Sequence, residues 1–385
     1  MANSVDQEAI EAHARWRGKV DYVSKVVVTN NDELSIVYTP GVAAPCLEIE
    51  KHPETVRLYT GIANLVAVVT DGSAVLGLGD IGPQAALPVM EGKCVLFKEF
   101  GGVDAIAIAL DVHTAEEIIQ VVKAIAPSVG GINLEDIKAP ICFEVEAALH
   151  DALDIPVMHD DQHGTAIVAL AGLINALKIT NREPKDTRTV MLGAGASSIA
   201  VAKLLREYGV QEIAMLDSKG LLCVDRDDMN EYKQEIAAWS GFEKGADGTI
   251  PQISSVIKGA DLFIGLSGPG LVTRDDIAAM NDNALVFAMA NPTPEIMPDE
   301  AAAAGALIVA TGRSDFPNQI NNALGFPGIF RGLLDGNIPR VENRHKLAAA
   351  HAIAAFVENP TPDEIVPSIF AEGLGQAVAD AVMNA

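Results

Sequence analysis

From Leu65 onward, short apolar runs alternate with helical stretches, and that alternation admits few folds. Leu65–Thr70, Ala105–Leu110, Gly131–Leu134 and Ile155–Met158 read as strands. Helices fit between them: Thr114–Ala126 with Thr114 as N-cap, and Ala139–Ala152 with Pro140 in the first turn. The pattern implies a mostly parallel sheet covered by helices. After Asp161 comes a long amphipathic segment, Thr165–Lys178, then a polar link, Thr180–Arg188. A second series follows, at Thr189–Leu192, Glu212–Leu216, Leu262–Gly265, Ala284–Ala288 and Ala306–Val309. A chain of 385 residues is long for one core. Two domains are expected, 1–160 and 161–385, with Arg344–Val357 and the tail Ser368–Ala385 packing back onto the body.

A formal charge of −25 argues against nucleic acid or an anionic membrane as partner, and any anionic substrate needs a local positive site. Cys46, Cys94, Cys142 and Cys223 stand in no metal or redox spacing, which fits a reducing compartment. The segment Met1 to Arg15 is acidic and lacks the apolar core of a signal peptide. Apolar stretches such as Ala301–Ala310 fall short of the ~20 residues a bilayer requires. A cytoplasmic globular protein is expected.

Two turns carry the chemistry. Asn133-Leu134-Glu135-Asp136-Ile137 and His159-Asp160-Asp161-Gln162-His163 place carboxylates directly after strand-like runs. Their mutual repulsion costs stability unless a cation bridges them, and an all-oxygen set suits Mg²⁺ or Mn²⁺. Either turn alone reads equally well as a solvated loop or a helix cap. Both lie at carboxyl ends of neighbouring strands, where open α/β sheets place ligands. His159 and His163 have the spacing of a zinc-protease helix, but a strand running into His159 keeps them from converging.

Further on, Gly193-Ala194-Gly195-Ala196-Ser197-Ser198 follows a predicted strand and opens a predicted helix. Its glycines permit a tight turn and close approach of backbone N–H groups to a pyrophosphate. Ser198 replaces the usual third Gly or Ala. The next strand ends at Asp217, where a ribose-binding acid is expected, with a lean towards NAD over NADP. Lys219 and Arg226 nearby are able to reverse that lean.

Tyr38 stands just before a Pro-Gly turn and Lys93 inside an apolar helix; a packed hydroxyl and a snorkelling ammonium are the ordinary readings. The assembled motifs change that. Tyr38-Thr39-Pro40-Gly41-Val42-Ala43, Thr70-Asp71-Gly72 with Leu76-Gly77-Leu78-Gly79-Asp80, Glu91-Gly92-Lys93 and Asn133-Leu134-Glu135-Asp136 come first in order. Asp160-Asp161-Gln162-His163-Gly164-Thr165, Ala290-Asn291-Pro292-Thr293 and Asn321-Asn322 before Phe326-Pro327-Gly328 complete the set. Over nearly its whole length, from about Gly18, the chain resembles malic enzyme in its short bacterial form.

The resemblance implies a malic-type N-terminal α/β domain followed by a Rossmann-like NAD(P)-binding domain, assembled at least as a homodimer. It implies Tyr38 and Lys93 as the acid–base pair, and Glu135, Asp136 and Asp161 as metal ligands. It implies Asn291, Asn321 and Asn322 as substrate contacts, with Asn291 also near the nicotinamide. Larger eukaryotic-type members carry a substrate-binding Arg where Ser73-Ala74-Val75 stands here, so the second carboxylate of malate must meet Lys93, Lys98, the metal or a neighbouring subunit.

The expected reaction is oxidative decarboxylation of malate to pyruvate. Lys93 is the base, its pKa drawn down to about 7–8 by burial beside a cation, and Tyr38 protonates C3. A malolactic conversion and a non-catalytic dinucleotide sensor are the alternatives. An amino-acid dehydrogenase needs no metal, so the carboxylates count against it.

Overall fold

The computed structural model describes residues 2–75 and 77–385; Met1 and Leu76, the latter inside the Leu-Gly-Leu-Gly-Asp run, lie outside them. Two sheets form. The first holds four parallel strands in the order β2-β1-β3-β4: β1 (Leu65–Thr70), β2 (Asp104–Ala109), β3 (Gly131–Leu134) and β4 (Val157–His159). The second, in the order β10-β9-β8-β5-β6-β7, holds β5 (Thr189–Leu192), β6 (Ile213–Asp217), β7 (Gly220–Leu221), β8 (Leu262–Gly265), β9 (Ala284–Ala288) and β10 (Ala306–Thr311). Among the described strands only the edge strand β7 runs antiparallel, and it is too short for an apolar run to signal.

These strands are continuous apolar runs because helices cover both faces. β1 and β5 are buried almost throughout. The helix Ala115–Ile125 starts where expected: the Thr114 hydroxyl accepts from Glu117 N, and the Glu117 carboxylate accepts from Thr114 N, a capping box.

One element departs from expectation. The segment read as an amphipathic helix over 165–178 is a 21-residue helix, Asp160–Thr180, buried on all sides from Ala166 to Leu177. It starts with His159 as N-cap, which puts Asp160 and Asp161 in its first turn. It is long and apolar enough to cross a membrane by length and composition, contrary to the expectation that no stretch is. It instead lies 72% buried inside the protein, as the helix around which both halves pack.

Each sheet has a switch point, where connections leave in opposite directions. In the first it lies between β1 and β3, in the second between β5 and β8. The carboxylate turns follow β3 and β4, whose register pairs Leu134 with His159, and the glycine loop follows β5. Both lie where such sheets bind ligands.

Candidate active site

Lys93 sits midway along the helix Pro83–Gly101, on the face that also carries Met90 and Phe97. Phe97 packs edge-on against Phe326 at 4.7 Å and Phe330 at 5.3 Å. The Lys93 ammonium lies 4.6 Å from the Phe326 ring centre. This aromatic contact docks the helix Phe326–Asp335 beside Lys93 and brings the preceding asparagines to the carboxylates.

The ammonium is 3.0 Å from Glu135 Oε1 and donates a very short hydrogen bond to Asp160 Oδ2. Asp160 Oδ2 also accepts from Asn322 Nδ2 at 2.6 Å. Glu135 Oε2 accepts from Asn133 Nδ2 at 2.9 Å. Asp161 Oδ2 accepts from the Asp136 backbone N–H at 2.8 Å, tying the two turns together. Asp136 holds a left-handed backbone (φ 54°), which few non-glycine residues adopt outside constrained sites.

One oxygen each from Glu135, Asp136 and Asp161 lie within 4.8 Å of one another. Asp160 is fully buried, and its Oδ1 has no hydrogen-bond partner. Burial raises the Glu135 and Asp160 carboxyls above their ordinary range, and only Lys93 among the described cations offsets the crowding at Glu135. Four neighbouring carboxylates around one ammonium, with an orphaned oxygen, fit a divalent cation by donor type and charge. No zinc-type set of histidines occurs among the described residues: His163 Nε2 bonds Glu146 Oε2 at 2.9 Å.

The low pKa expected of Lys93 beside a cation is not what the protein's own groups produce. Burial does pull it down, but Asp160, Glu135 and Asp161 outweigh burial, and the ammonium is held well above its usual range. Tyr38 is 67% exposed at the end of the helix Asn31–Val37, and no described hydrogen bond joins it to the cluster. Lys98 pairs at 2.7 Å with Asp104, which starts β2, at the opposite sheet edge from the cluster. It is poorly placed to meet a substrate there.

Sequence reasoning passed over Lys138. Its backbone N–H donates to Ser73 Oγ at 3.0 Å, and Ala74 N donates to Asp136 O at 2.9 Å. Lys138 therefore stands beside the position where larger relatives carry Arg. Its distance of two residues from Asp136 was the available signal.

In the second half, Gly193 has φ 117°, and a Cβ there would lie 2.4 Å from Leu266 O, after β8. A Cβ on Gly195 would meet nothing within 4 Å, leaving the helix N-terminus at Ala196 open to a phosphate. Ala194 and Ser197 are partly buried in this turn. Ser198 is buried, its Oγ 3.0 Å from where that Gly193 Cβ would be. Asp217 is already engaged: Arg226 grips both oxygens at 3.0 Å, and Lys233 Nζ lies 2.8 Å away.

Asn291 and Pro292 pack against Gly77, joining the second half to the loop after β1. Asn321 Oδ1 caps the short helix Asn322–Leu324 by accepting from Ala323 N at 2.9 Å, so of the two neighbours Asn322 is the one bonded to the cluster.

A buried lysine among four carboxylates and a glycine turn after β5, on two mostly parallel α/β sheets, fit a dinucleotide-dependent oxidoreductase. The malic enzyme N-terminal domain family matches residues 17–117, and the malic enzyme NAD binding domain family matches 162–385. The chain belongs to the malic enzyme family. It is 52% identical to an NAD-dependent malic enzyme of Geobacillus stearothermophilus, over 96% of this chain and 76% of that protein. It is 49% identical to a bifunctional malic/malolactic enzyme of Bacillus subtilis, over 99% of this chain and 93% of that protein. A crystal structure of an NAD-dependent malic enzyme from Thermotoga maritima superposes with a TM-score of 0.93 at 42% identity, covering 97% of this chain and 98% of that one.

Proposed function

We propose that the chain oxidatively decarboxylates (S)-malate to pyruvate and CO₂ while reducing NAD⁺ or NADP⁺. The observation that carries this is the convergence of Lys93, Asn322 and four carboxylates, Glu135, Asp136, Asp160 and Asp161, at the switch point of the first sheet. Glu135, Asp136 and Asp161 would hold the metal, Mg²⁺ or Mn²⁺. When bound, the cation would oppose the carboxylates' field at Lys93 and lower the pKa of the substrate hydroxyl.

Lys93 takes the hydroxyl proton as hydride leaves C2 for the nicotinamide; Asp160, hydrogen-bonded to Nζ, receives the ammonium proton beforehand. The resulting 3-oxo acid loses CO₂ from C3, and Tyr38 protonates that carbon. Asn291, Asn321 and Asn322 orient the substrate, and Lys138 meets its second carboxylate. Gly193 to Ser198 hold the pyrophosphate. Both Asp217 oxygens are engaged by cations, which removes the repulsion that favoured NAD, so both dinucleotides are accepted.

The division at 160/161 is supported by the family matches on either side of it. A homodimer completes the site: Tyr38 is exposed, as are the apolar side chains of Tyr22, Val23, Val27, Ile36 and Leu58 around it in sequence. A cytoplasmic setting follows from the substrate and cofactor.

The test is absorbance at 340 nm with malate and Mn²⁺, in parallel NAD⁺ and NADP⁺ arms, with pyruvate assayed at the end. A rise with matching pyruvate is expected. Lactate with a flat trace would instead indicate malolactic conversion, the activity in the Bacillus subtilis relative's name. A flat trace with neither product, from folded protein, would favour a dinucleotide sensor.

A further inference from the structure

Glu295 is fully buried, yet no step described above uses it. It stands in the loop after β9, and its carboxylate lies across the carboxyl ends of β8 and β9. Oε1 accepts from Ser267 N at 2.7 Å and from Ser267 Oγ at 3.3 Å, and Oε2 accepts from Ala290 N at 3.1 Å. The Glu295 carbonyl accepts from Val272 N at 3.2 Å, so backbone and side chain both tie this loop to the one after β8. These partners are neutral, and no Lys, Arg or His among the described residues pairs with the carboxylate.

A buried carboxylate without a cation is costly, and packing alone would be served by an apolar side chain. Two observations show that the contacts require this group. Backbone N–H groups converge on it from two different strand ends, and only a carboxylate offers an acceptor at each prong with no donor. A Gln would turn its NH₂ towards one of them. Burial raises the carboxyl above its ordinary range, and the bonds from Ser267 and Ala290 oppose that rise. Gly265, which ends β8, is the second observation: a Cβ there would lie 2.3 Å from Glu295 Cδ. Glycine is demanded at that strand end by the close approach of the carboxylate.

Each end of this clamp lies one residue from the site. Ser267 follows Leu266, whose N–H donates to Leu192 O at 2.8 Å and whose carbonyl the Gly193 turn abuts. Ala290 precedes Asn291, which is wedged between Gly77 and Gly312; a Cβ on Gly312 would lie 2.4 Å from Asn291 Nδ2. We propose that Glu295 is a positioning residue that fixes Asn291 relative to the dinucleotide turn, and so sets where the nicotinamide meets the substrate. This rests on the role given to Asn291 above. Glu295 acts on alignment more than on affinity, because the Gly193 turn keeps its own bond from Gly193 N to Leu216 O, at 2.9 Å, without it.

The experiment compares the full-length wild type with Glu295→Gln and with Gly265→Ala, which displaces the carboxylate without altering it. NADH titration reads Kd together with the fluorescence enhancement of the bound nicotinamide. Steady-state kinetics with malate and Mn²⁺ reads kcat, and melting temperature monitors folding. Each folded variant is expected to keep Kd for NADH within about threefold while losing at least about half of the enhancement and about tenfold in kcat. Wild-type enhancement and kcat in a folded variant would overturn the proposal. So would a Kd weakened in step with kcat, the mark of general loosening. Failure of both variants to fold would assign Glu295 to stability alone and overturn it as well. A wild type that does not oxidise malate sinks the proposed function, and the fluorescence arm then decides the clamp by itself.

Discussion

Lys93 is a cation whose protonation is set by carboxylates that repel one another. Replacing it with Met removes the proposed base and leaves Asp160 and Glu135 without their shared cation. A loss of about 10²–10⁴ in kcat is expected, with the fold retained by circular dichroism in the presence of Mn²⁺. Lys138→Ala is expected to raise KM for malate about tenfold, by removing one charge-assisted contact, while kcat changes little. Steady-state kinetics at varied malate separates the two residues. Glu146 supplies a pH signature. Burial alone would raise its pKa, but His163, His159 and Lys346 hold it at about 2, below the ordinary 4.5. A depressed carboxylate stabilises the fold above 4.5, and that contribution is lost as pH falls from 4.5 towards 2. It amounts to roughly 3 kcal/mol. Urea denaturation at pH 6 and pH 3 should show a shallower acid loss for Glu146→Gln than for wild type.

The glycine loop shows how an element turns on one backbone angle. Gly193→Ala combines φ 117° with a Cβ driven onto Leu266 O, so the turn between β5 and its helix must shift away from β8. Weakening of NADH binding by more than about tenfold is expected in a fluorescence titration. The strands themselves were readable, because runs such as Leu65–Thr70 and Gly131–Leu134 are apolar at every buried position and bounded by turns. The helix Asp160–Thr180 was misread for a physical reason: burial on all sides erases the periodicity that marks an amphipathic face. Its N-terminus was consequently placed too late, and the part Asp160 plays in anchoring Lys93 and Asn322 from the first turn was not legible.

At the scale of the whole molecule, a subunit that exposes Tyr38 while burying Lys93 predicts a site shared between two copies. Tyr38→Phe and Asp161→Asn subunits, each inactive alone, are expected to regain up to about a quarter of wild-type activity when mixed and re-associated. Two self-contained subunits would show no recovery. Motif identity and order, the two βα series, the glycine turn and the carboxylate turns were all determined by the sequence, because each depends on residues within a few positions of one another. Tertiary structure alone decided the rest. Lys93 meets Asp160, Asn322 and Phe326 from distant parts of the chain, and its charge state depends on their summed field. Asp217 loses its free carboxylate to Arg226 and Lys233, and Lys138 gains a place beside Ser73, only when folding brings those loops together. Local propensity carries no information about such long-range electrostatics, which arise only once the elements are packed.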